Sequence, residues 1–548
     1  MNHQPVAKIV SWNTYGEEVC ASAARMSTTE GSALDIYSAA LNNPHNANLI
    51  GKVLKSGHRS IMEHMVFSIA LENVSVYAEQ YFIEMRLASF TVKSRRYVNF
   101  GDQGYCIPQN LEWEDLESYK KHMNGLFETY RDLIALNIPK EDARFILPYS
   151  FCSNFYCTLN ARELSGLIHS IRCGRGRISP ELLVIARQLE QQAVEIFSAI
   201  AQEIPSEPLK EEIPDPPKPR FSRKHGVEFV KQPDIGKTSL LFGPKNQRHT
   251  LAMAYDILHP DMQTDPMWED FVSSLRPREL EMLPYGFKIS DITLAGLTHL
   301  TRHRMQSPVI PPIETVDLSR IVIPDSIAQN KDAWKVYQRG AAMAYEDSIE
   351  LLQREALRPY IGYFALSGNL VNVATVMNAR ELKTFIQLRS CNRAQWEIRQ
   401  VAISMLSQLR KHCPEIFDLY GPSCYLTGVC PEGKMCCGKT KETRTFFSAG
   451  SSLRSGEVES RIHIEQSENW LGRRLGDLSQ FELLELIEEI ADFKRTGLLK
   501  GERMKALERQ FSENVSHTPG GTCMRLIEDE ILFEAARRFY NEKVKIPK

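Results

Sequence analysis

One separation recurs along this chain. Glu63 and Glu281, Arg86 and Arg304, Ser89 and Ser307, Cys173 and Cys391, and Arg175 and Arg393 all stand 218 residues apart, as do Asn160-Ala161-Arg162-Glu163-Leu164 and Asn378-Ala379-Arg380-Glu381-Leu382. A spacing held over roughly 100 residues admits no net insertion, so two segments are built to one plan. The repeat divides the 548 residues into a first copy over 1–203, a second over 240–440, and the segment 204–239 between them. That segment holds Pro205, Pro208, Pro214, Pro216, Pro217, Pro219 and Pro233, a density that forbids regular helix and predicts an extended linker. Residues 441–465 are rich in Ser, Gly and Arg, and 477–548 carry a helical pattern. There Asp477-Leu-Ser-Gln-Phe-Glu reads as a capped helix start, and Leu483, Leu484, Leu486, Ile487 and Ile490 as an apolar stripe, so 441–548 reads as a helical appendage.

Each copy repeats one local pattern. Val66-Phe-Ser-Ile-Ala-Leu71 and Tyr285-Gly-Phe-Lys-Ile289 alternate as strands do. Helical periodicity predicts long amphipathic helices over 113–136 and 332–357, then pairs over 161–173 and 180–201, and over 379–390 and 393–412. The class is α+β, two tandem copies of a small sheet with long helices. Lys and Arg number 66 against 68 Asp and Glu, a net charge of −2 that argues against a nucleic-acid coat or a polybasic membrane anchor. No run of 18 apolar residues appears, and the N-terminus lacks a signal-peptide core. Twelve cysteines, most of them isolated in apolar text, suit a reducing compartment, so a soluble cytoplasmic protein is expected.

Chemistry concentrates in three places. In the second copy, Thr298-His299-Leu-Thr-Arg302-His303-Arg304-Met-Gln-Ser307 gathers donors at a helix end, suited to phosphate or to a negatively polarised ring; Arg-His-Arg alone reads more readily as a solvated basic turn. The first copy carries His58-Arg-Ser60-Ile-Met-Glu63-His64 and then Arg86-Leu-Ala-Ser89-Phe-Thr-Val-Lys-Ser94-Arg-Arg96-Tyr97, where serines interleave with arginines as in a phosphate clamp. The third place is Cys424, Cys430, Cys436 and Cys437 on a loop rich in Gly and Pro. Four thiols there match a closed structural zinc site in ligand type, with an iron–sulfur cluster behind it. The spacing lacks a C-x2-C knuckle, and buried reduced cysteines are the alternative.

Together these strings resemble the flavin-dependent thymidylate synthases, whose signature is R-H-R, two residues, Ser, four residues, Ser, one residue, R-Y. The second copy has its beginning in Arg302, His303, Arg304 and Ser307, and the first has its remainder in Arg86, Ser89, Ser94, Arg96 and Tyr97. The resemblance takes in His58, Ser60, Glu63 and His64, then Ala143-Arg144-Phe-Ile-Leu147-Pro148. It ends in Asn378-Ala-Arg380-Glu-Leu…Leu388-Arg389…Ala394-Gln-Trp-Glu-Ile-Arg399 and covers most of residues 20–440. It implies methylation of dUMP to dTMP with methylenetetrahydrofolate as one-carbon donor and bound FAD reduced by NADPH. It further implies that Arg302, His303, Arg304, Asn378 and Arg380 hold FAD, with His58, Ser60 and Glu63 lining the flavin pocket from the other copy. Arg389 would face the uracil edge as the catalytic arginine, and Ser94, Arg96 and Arg144 would bind the phosphate and sugar of dUMP, with Arg302 and His299 nearby. The resembled enzymes are homotetramers, so two fused copies imply a homodimer acting as a pseudo-tetramer.

Departures from the pattern fall on opposite halves. Glu84-Met85 replaces Arg-His in the first copy, whereas Pro312, Glu314 and Gly362 replace Ser94, Arg96 and Arg144 in the second, and Arg276 replaces His58. The surviving halves are complementary, which predicts one composite site and a vestigial reciprocal one. His299 stands where the family has Gln, and Val92 where it has an acid. Two alternatives follow: a related flavoenzyme transferring a hydroxymethyl group to another pyrimidine nucleotide, and a non-catalytic nucleotide- or flavin-binding protein. Arg162, the partner of Arg380 in the repeat, reads equally as scaffold or as leftover ligand.

Overall fold

Alternation builds two similar sheets, each with one buried face. In the computed structural model, which describes residues 4–204, 217–260, 271–272, 277–426 and 428–449 with short pieces at 475, 478–479, 482–489 and 505–506, ten strands are named. They are β1 (Val6–Trp12), β2 (Val66–Ser75), β3 (Ala88–Val92), β4 (Cys152–Asn160), β5 (Glu228–Lys231), β6 (Lys237–Phe242), β7 (Pro284–Thr293), β8 (Ser307–Val309), β9 (Arg320–Ile323) and β10 (Leu370–Asn378). The first sheet runs β1-β2-β4-β3, antiparallel throughout, and buries Phe67, Ile69 and Leu71 of β2 on its inner face. The second runs β6-β7-β10-β8, the same order strand for strand. The far end of the proline-rich segment is strand rather than bare chain, because β5 pairs in parallel with β9.

The repeat reaches single backbone angles. Asn73 (φ 54°) and Asp291 (φ 55°) both adopt the left-handed conformation, and their N–H groups donate to the side chains of Asn154 and Asn372 at 2.8 and 3.0 Å. Ser75 and Thr293 then cap the helices Val76–Ile83 and Leu294–Leu300. The long helices are Trp113–Ala135 and Lys331–Leu351. The second is shorter than its periodicity predicts, and the chain re-forms as a 3-10 turn, Glu355–Tyr360, that contains Pro359. Likewise Pro180–Ile196 stops short of residue 201 and passes into the 3-10 turn Ser198–Gln202, and Trp396–His412 starts three residues late under a Gln395 cap.

Packing divides the chain differently from the repeat. One compact unit contains Met1–Leu241 and Gly286–Met377, that is, the first copy with the middle of the second; the other contains Phe242–Tyr285 and Asn378–Lys548. Within the first unit the copies meet about a local two-fold. Tyr149 N–H donates to Ala365 O at 2.7 Å and Ser367 N–H to Leu147 O at 2.9 Å, and these pairs exchange when 218 is added. Helices Trp113–Ala135 and Lys331–Leu351 pack beside this junction, where His122 Nδ1 meets Asp347 Oδ2 at 2.9 Å and its ring stacks on Phe364. Glu181, buried, accepts from Ser75 N–H at 2.7 Å, from the Ser75 hydroxyl, and from Tyr363 of the second copy at 2.8 Å. Burial pushes its carboxyl up, and these donors partly offset that push.

In the second unit, helix Trp396–His412 carries the buried Arg410, which donates to the carbonyls of Phe417, Tyr420 and Phe447 at 3.2, 3.2 and 2.7 Å. Asp477 lies outside the described residues. Residues 482–489 are helical, with Ser479 and Glu482 forming a reciprocal cap; Leu483 and Leu486 are buried, while Leu484 is exposed.

A Cβ added at Gly340 would lie 2.5 Å from Thr129 Cγ2. Gly340→Val therefore overpacks the helix pair that joins the copies and should cost about 1–3 kcal/mol, seen as a lowered denaturant midpoint.

Candidate nucleotide site

The site begins with an anomaly in an apolar helix. All eight residues of Val76–Ile83 are buried, and one of them is Glu79, with no exposed surface. A carboxylate there needs donors, and Arg95 and the Ser153 hydroxyl supply them. Arg95 is itself buried and lies over the Phe151 ring, 5.4 Å from its centroid. It is the central residue of Ser94-Arg95-Arg96, so the Glu79 pair anchors that segment from within. Arg96 Nε meets Glu141 Oε2 at 2.7 Å, and Arg144, also buried, donates from Nε to Glu141 O at 3.1 Å. Arg96 and Arg144 are thus drawn to one residue, with Ser94 Oγ accepting from Arg96 N–H at 3.4 Å.

The second copy enters from the other side. Helix Leu294–Leu300, buried throughout and containing His299, delivers Arg302, His303 and Arg304, with His303 also buried. Arg304 Nη1 donates to Ala88 O at 2.8 Å and Ser89 Oγ at 3.2 Å in β3, while Arg86 Nε donates back to Arg304 O at 3.1 Å. The Arg-His-Arg string of one copy is therefore fastened to the clamp strand of the other. Arg302 is exposed at its surface, yet the protein packed around it, and after that the positive charge of Arg95, hold its pKa below the ordinary value, with Glu79 opposing. Two guanidinium groups from different copies share the neighbourhood of a single buried carboxylate. That excess of positive charge is what an anionic ligand relieves.

Other expected residues take local roles. Ser60 and Glu63 sit exposed on the 3-10 turn Arg59–His64 and His58 just before it, with Glu63 bridged to Arg162 at 2.5 Å. The second unit repeats that bridge as Glu281 with Arg380. Asn378 caps helix Ala379–Arg389 by accepting from Glu381 N–H at 2.8 Å, as Asn160 does from Glu163 at 2.9 Å. Arg389 ends that helix half-buried; 218 residues earlier stands Ile171, fully buried.

The zinc expectation is corrected. Among the described residues no group of three or more His, Cys, Asp or Glu side chains is arranged to hold a metal ion. Cys424 is buried on the short helix Ser423–Leu426, whereas Cys430, Cys436 and Cys437 are half-buried on the following loop. Arg393 pins that loop through Met435 O at 2.8 Å and Cys436 O at 3.3 Å. Burial pushes the Cys424 thiol up to about 11, with Cys391, Cys430 and Cys437 adding to the rise. Cys391, which the spacing of the loop cysteines did not include, belongs to the same surroundings.

Residues 8–198 and 248–415 match, as two separate regions, the family described as thymidylate synthase complementing protein. The chain belongs to this family. It is similar to the flavin-dependent thymidylate synthase of Geobacter sulfurreducens, 36% identical over 173 residues that span 31% of this chain and 74% of that protein. It is also similar to that of Clostridium tetani, 29% identical over 241 residues, 38% of this chain and 96% of the relative. A solved structure of thymidylate synthase X from Helicobacter pylori, with FAD and dUMP, aligns at 19% identity and a TM-score of 0.29, covering 36% of this chain and 98% of that one. The chain is thus a tandem, two-copy member of an enzyme family with an α+β fold. No described helix is long and apolar enough to cross a membrane.

Glu79 and Arg95 were absent from the residues the family pattern points to, although a Glu inside the octet Val76–Ile83 is itself a signal. Arg95→Ala leaves Glu79 buried without its guanidinium and should cost about 3–5 kcal/mol of stability, whereas Glu79→Leu combined with Arg95→Met should recover most of that loss in urea titrations.

Proposed function

We propose that this chain methylates dUMP to dTMP with methylenetetrahydrofolate as one-carbon donor, FAD as bound cofactor and NADPH as reductant. The site is composite, drawn from both copies. The observation that carries this reading is the grip of Arg304 on Ala88 O and Ser89 Oγ, returned by Arg86 on Arg304 O, since it fastens the Arg-His-Arg string of the second copy to the strand that leads into Ser94–Arg96 of the first. The relatives' printed names and the FAD and dUMP of the Helicobacter pylori structure support the substrate and cofactor classes.

In this reading Ser94, Arg96 and Arg144 bind the dUMP phosphate and sugar, and Arg302 adds a cation whose repulsion with Arg95 falls as the dianion binds. The donor set fits the flavin phosphates too: Arg304 is exposed, and only one terminal nitrogen of its guanidinium is engaged on β3. Arg302, His303 and Arg304, with Asn378 and Arg380, would hold FAD, which when bound supplies the reducing equivalents for the methyl group. Arg389 would polarise the uracil edge, stabilising charge that develops on the ring. His58, Ser60 and Glu63, exposed on the first copy, would serve a neighbouring chain's flavin in a cytoplasmic homodimer. The buried His299 favours a second reading, hydroxymethyl transfer to another pyrimidine nucleotide, because it would present a different edge to the ring.

Three measurements test this. Product analysis with dUMP, methylenetetrahydrofolate and NADPH should give dTMP; a hydroxymethylated nucleotide supports the second reading, and no bound flavin in the purified protein counts against both. Arg96→Ala and Arg389→Ala should each weaken dUMP binding by about 2–5 kcal/mol, at least tenfold in a titration that otherwise finds one site per chain. Light scattering should give twice the chain mass; a monomer overturns the dimer.

A further inference from the structure

Beside the clamp described above, the first unit holds a second, differently built space. Glu84 and Glu314 stand 218 residues from Arg302 and Arg96, so two cationic positions of the composite site are acidic at their counterparts. These counterparts line one cavity of about 260 Å³ between the first-copy helix Val76–Ile83 and the second-copy segment Pro311–Thr315. Its walls are largely apolar, with Tyr77, Tyr81, Ile178, Pro311 and Ile313 among them. That volume is slightly below the ~300–1,000 Å³ usual for small-molecule pockets, enough for a heterocycle with or without a sugar and too small for a dinucleotide.

The polar groups narrow the ligand class. Glu84 is bound to Arg175 and receives Gln80 Nε2 at 3.0 Å, and Glu314 receives the Tyr77 hydroxyl. Gln80 is 1% exposed, and its Oε1 accepts from no donor in this structure. A buried acceptor without a donor costs about 1–3 kcal/mol, so a ligand bringing an N–H is favoured. A phosphate is not. Tyr81, Glu84 and Arg175 also line a separate polar cleft of about 450 Å³. Its arginines are already matched, Arg59 to Glu203 at 2.6 Å and Arg162 to Glu63 at 2.5 Å.

We propose that this cavity is a second ligand site, for an uncharged, unphosphorylated nucleoside or nucleobase whose N–H groups meet Gln80 Oε1 and Glu314 and whose ring lies among the tyrosines and prolines. The pairing of Glu84 and Glu314 with Arg302 and Arg96 borrows the composite-site reading, but the cavity and its chemistry stand without it.

Equilibrium dialysis of the full chain with labelled 2′-deoxycytidine, and separately with labelled dUMP, tests the idea. The nucleoside should bind saturably at one site per chain, uncompeted by dUMP. Gln80→Leu, which removes the acceptor, and Ile178→Trp, which fills the cavity, should each weaken it at least tenfold while dUMP binding is unchanged. Arg96→Ala should do the reverse. No saturable nucleoside binding, binding that survives both cavity variants, or binding that dUMP displaces and Arg96→Ala abolishes would overturn the proposal. If instead dUMP ignores Arg96→Ala while the nucleoside results hold, the composite-site reading fails and the cavity site stands.

Discussion

Two backbone hydrogen bonds organise the first unit: Tyr149 to Ala365 and Ser367 to Leu147. Their own contribution is small, about 0.5–1.5 kcal/mol each. Their effect is on register, because an antiparallel pairing of equivalent segments relates everything flanking it by a two-fold. Arg304 then meets Ser89 where Arg86 meets Ser307, and Gly340 faces Thr129 where His122 meets Asp347. Neither copy carries the whole Arg-His-Arg to Ser-x-Arg string in its own residues. The junction is what gives a broken motif in each copy a partner.

Around that junction the interior is held by charge as well as by apolar area. Glu79 and Glu181 are both buried, and each is satisfied by groups from distant elements. Such groups add little net stability compared with apolar replacements, but they penalise misregister heavily, since a displaced partner leaves a carboxylate stranded. A seam joining two similar copies has many near-equivalent misalignments, and Glu181 with Ser75 and Tyr363 discriminates against them.

Periodic features were legible before the fold was known. Strands at Val66 and Tyr285, and helices near 113–136 and 161–173, follow from alternation and from the 3.6-residue period, and the 218-residue spacing foretold two sheets of one strand order. Helix ends were less legible: 332–357 overran because the pattern continues past Leu351 into a 3-10 turn. Motif residues could be named but not their neighbours. That Arg96 and Arg144 converge on Glu141, or that Arg304 grips β3, depends on tertiary contacts that no spacing encodes. The cysteine loop misled for the opposite reason: ligand types were right for zinc, but Arg393 and the helix Ser423–Leu426 decide where the sulfurs go.

The fusion of the copies has a hereditary consequence. In an assembly of identical chains, one codon fills every equivalent position, so an acidic substitution in one pocket appears in all of them. Here Glu84 and Arg302 occupy equivalent places but are separately encoded, as are Glu314 and Arg96. Each pocket can therefore drift under its own selection, and a change lethal to one need never be tried in the other.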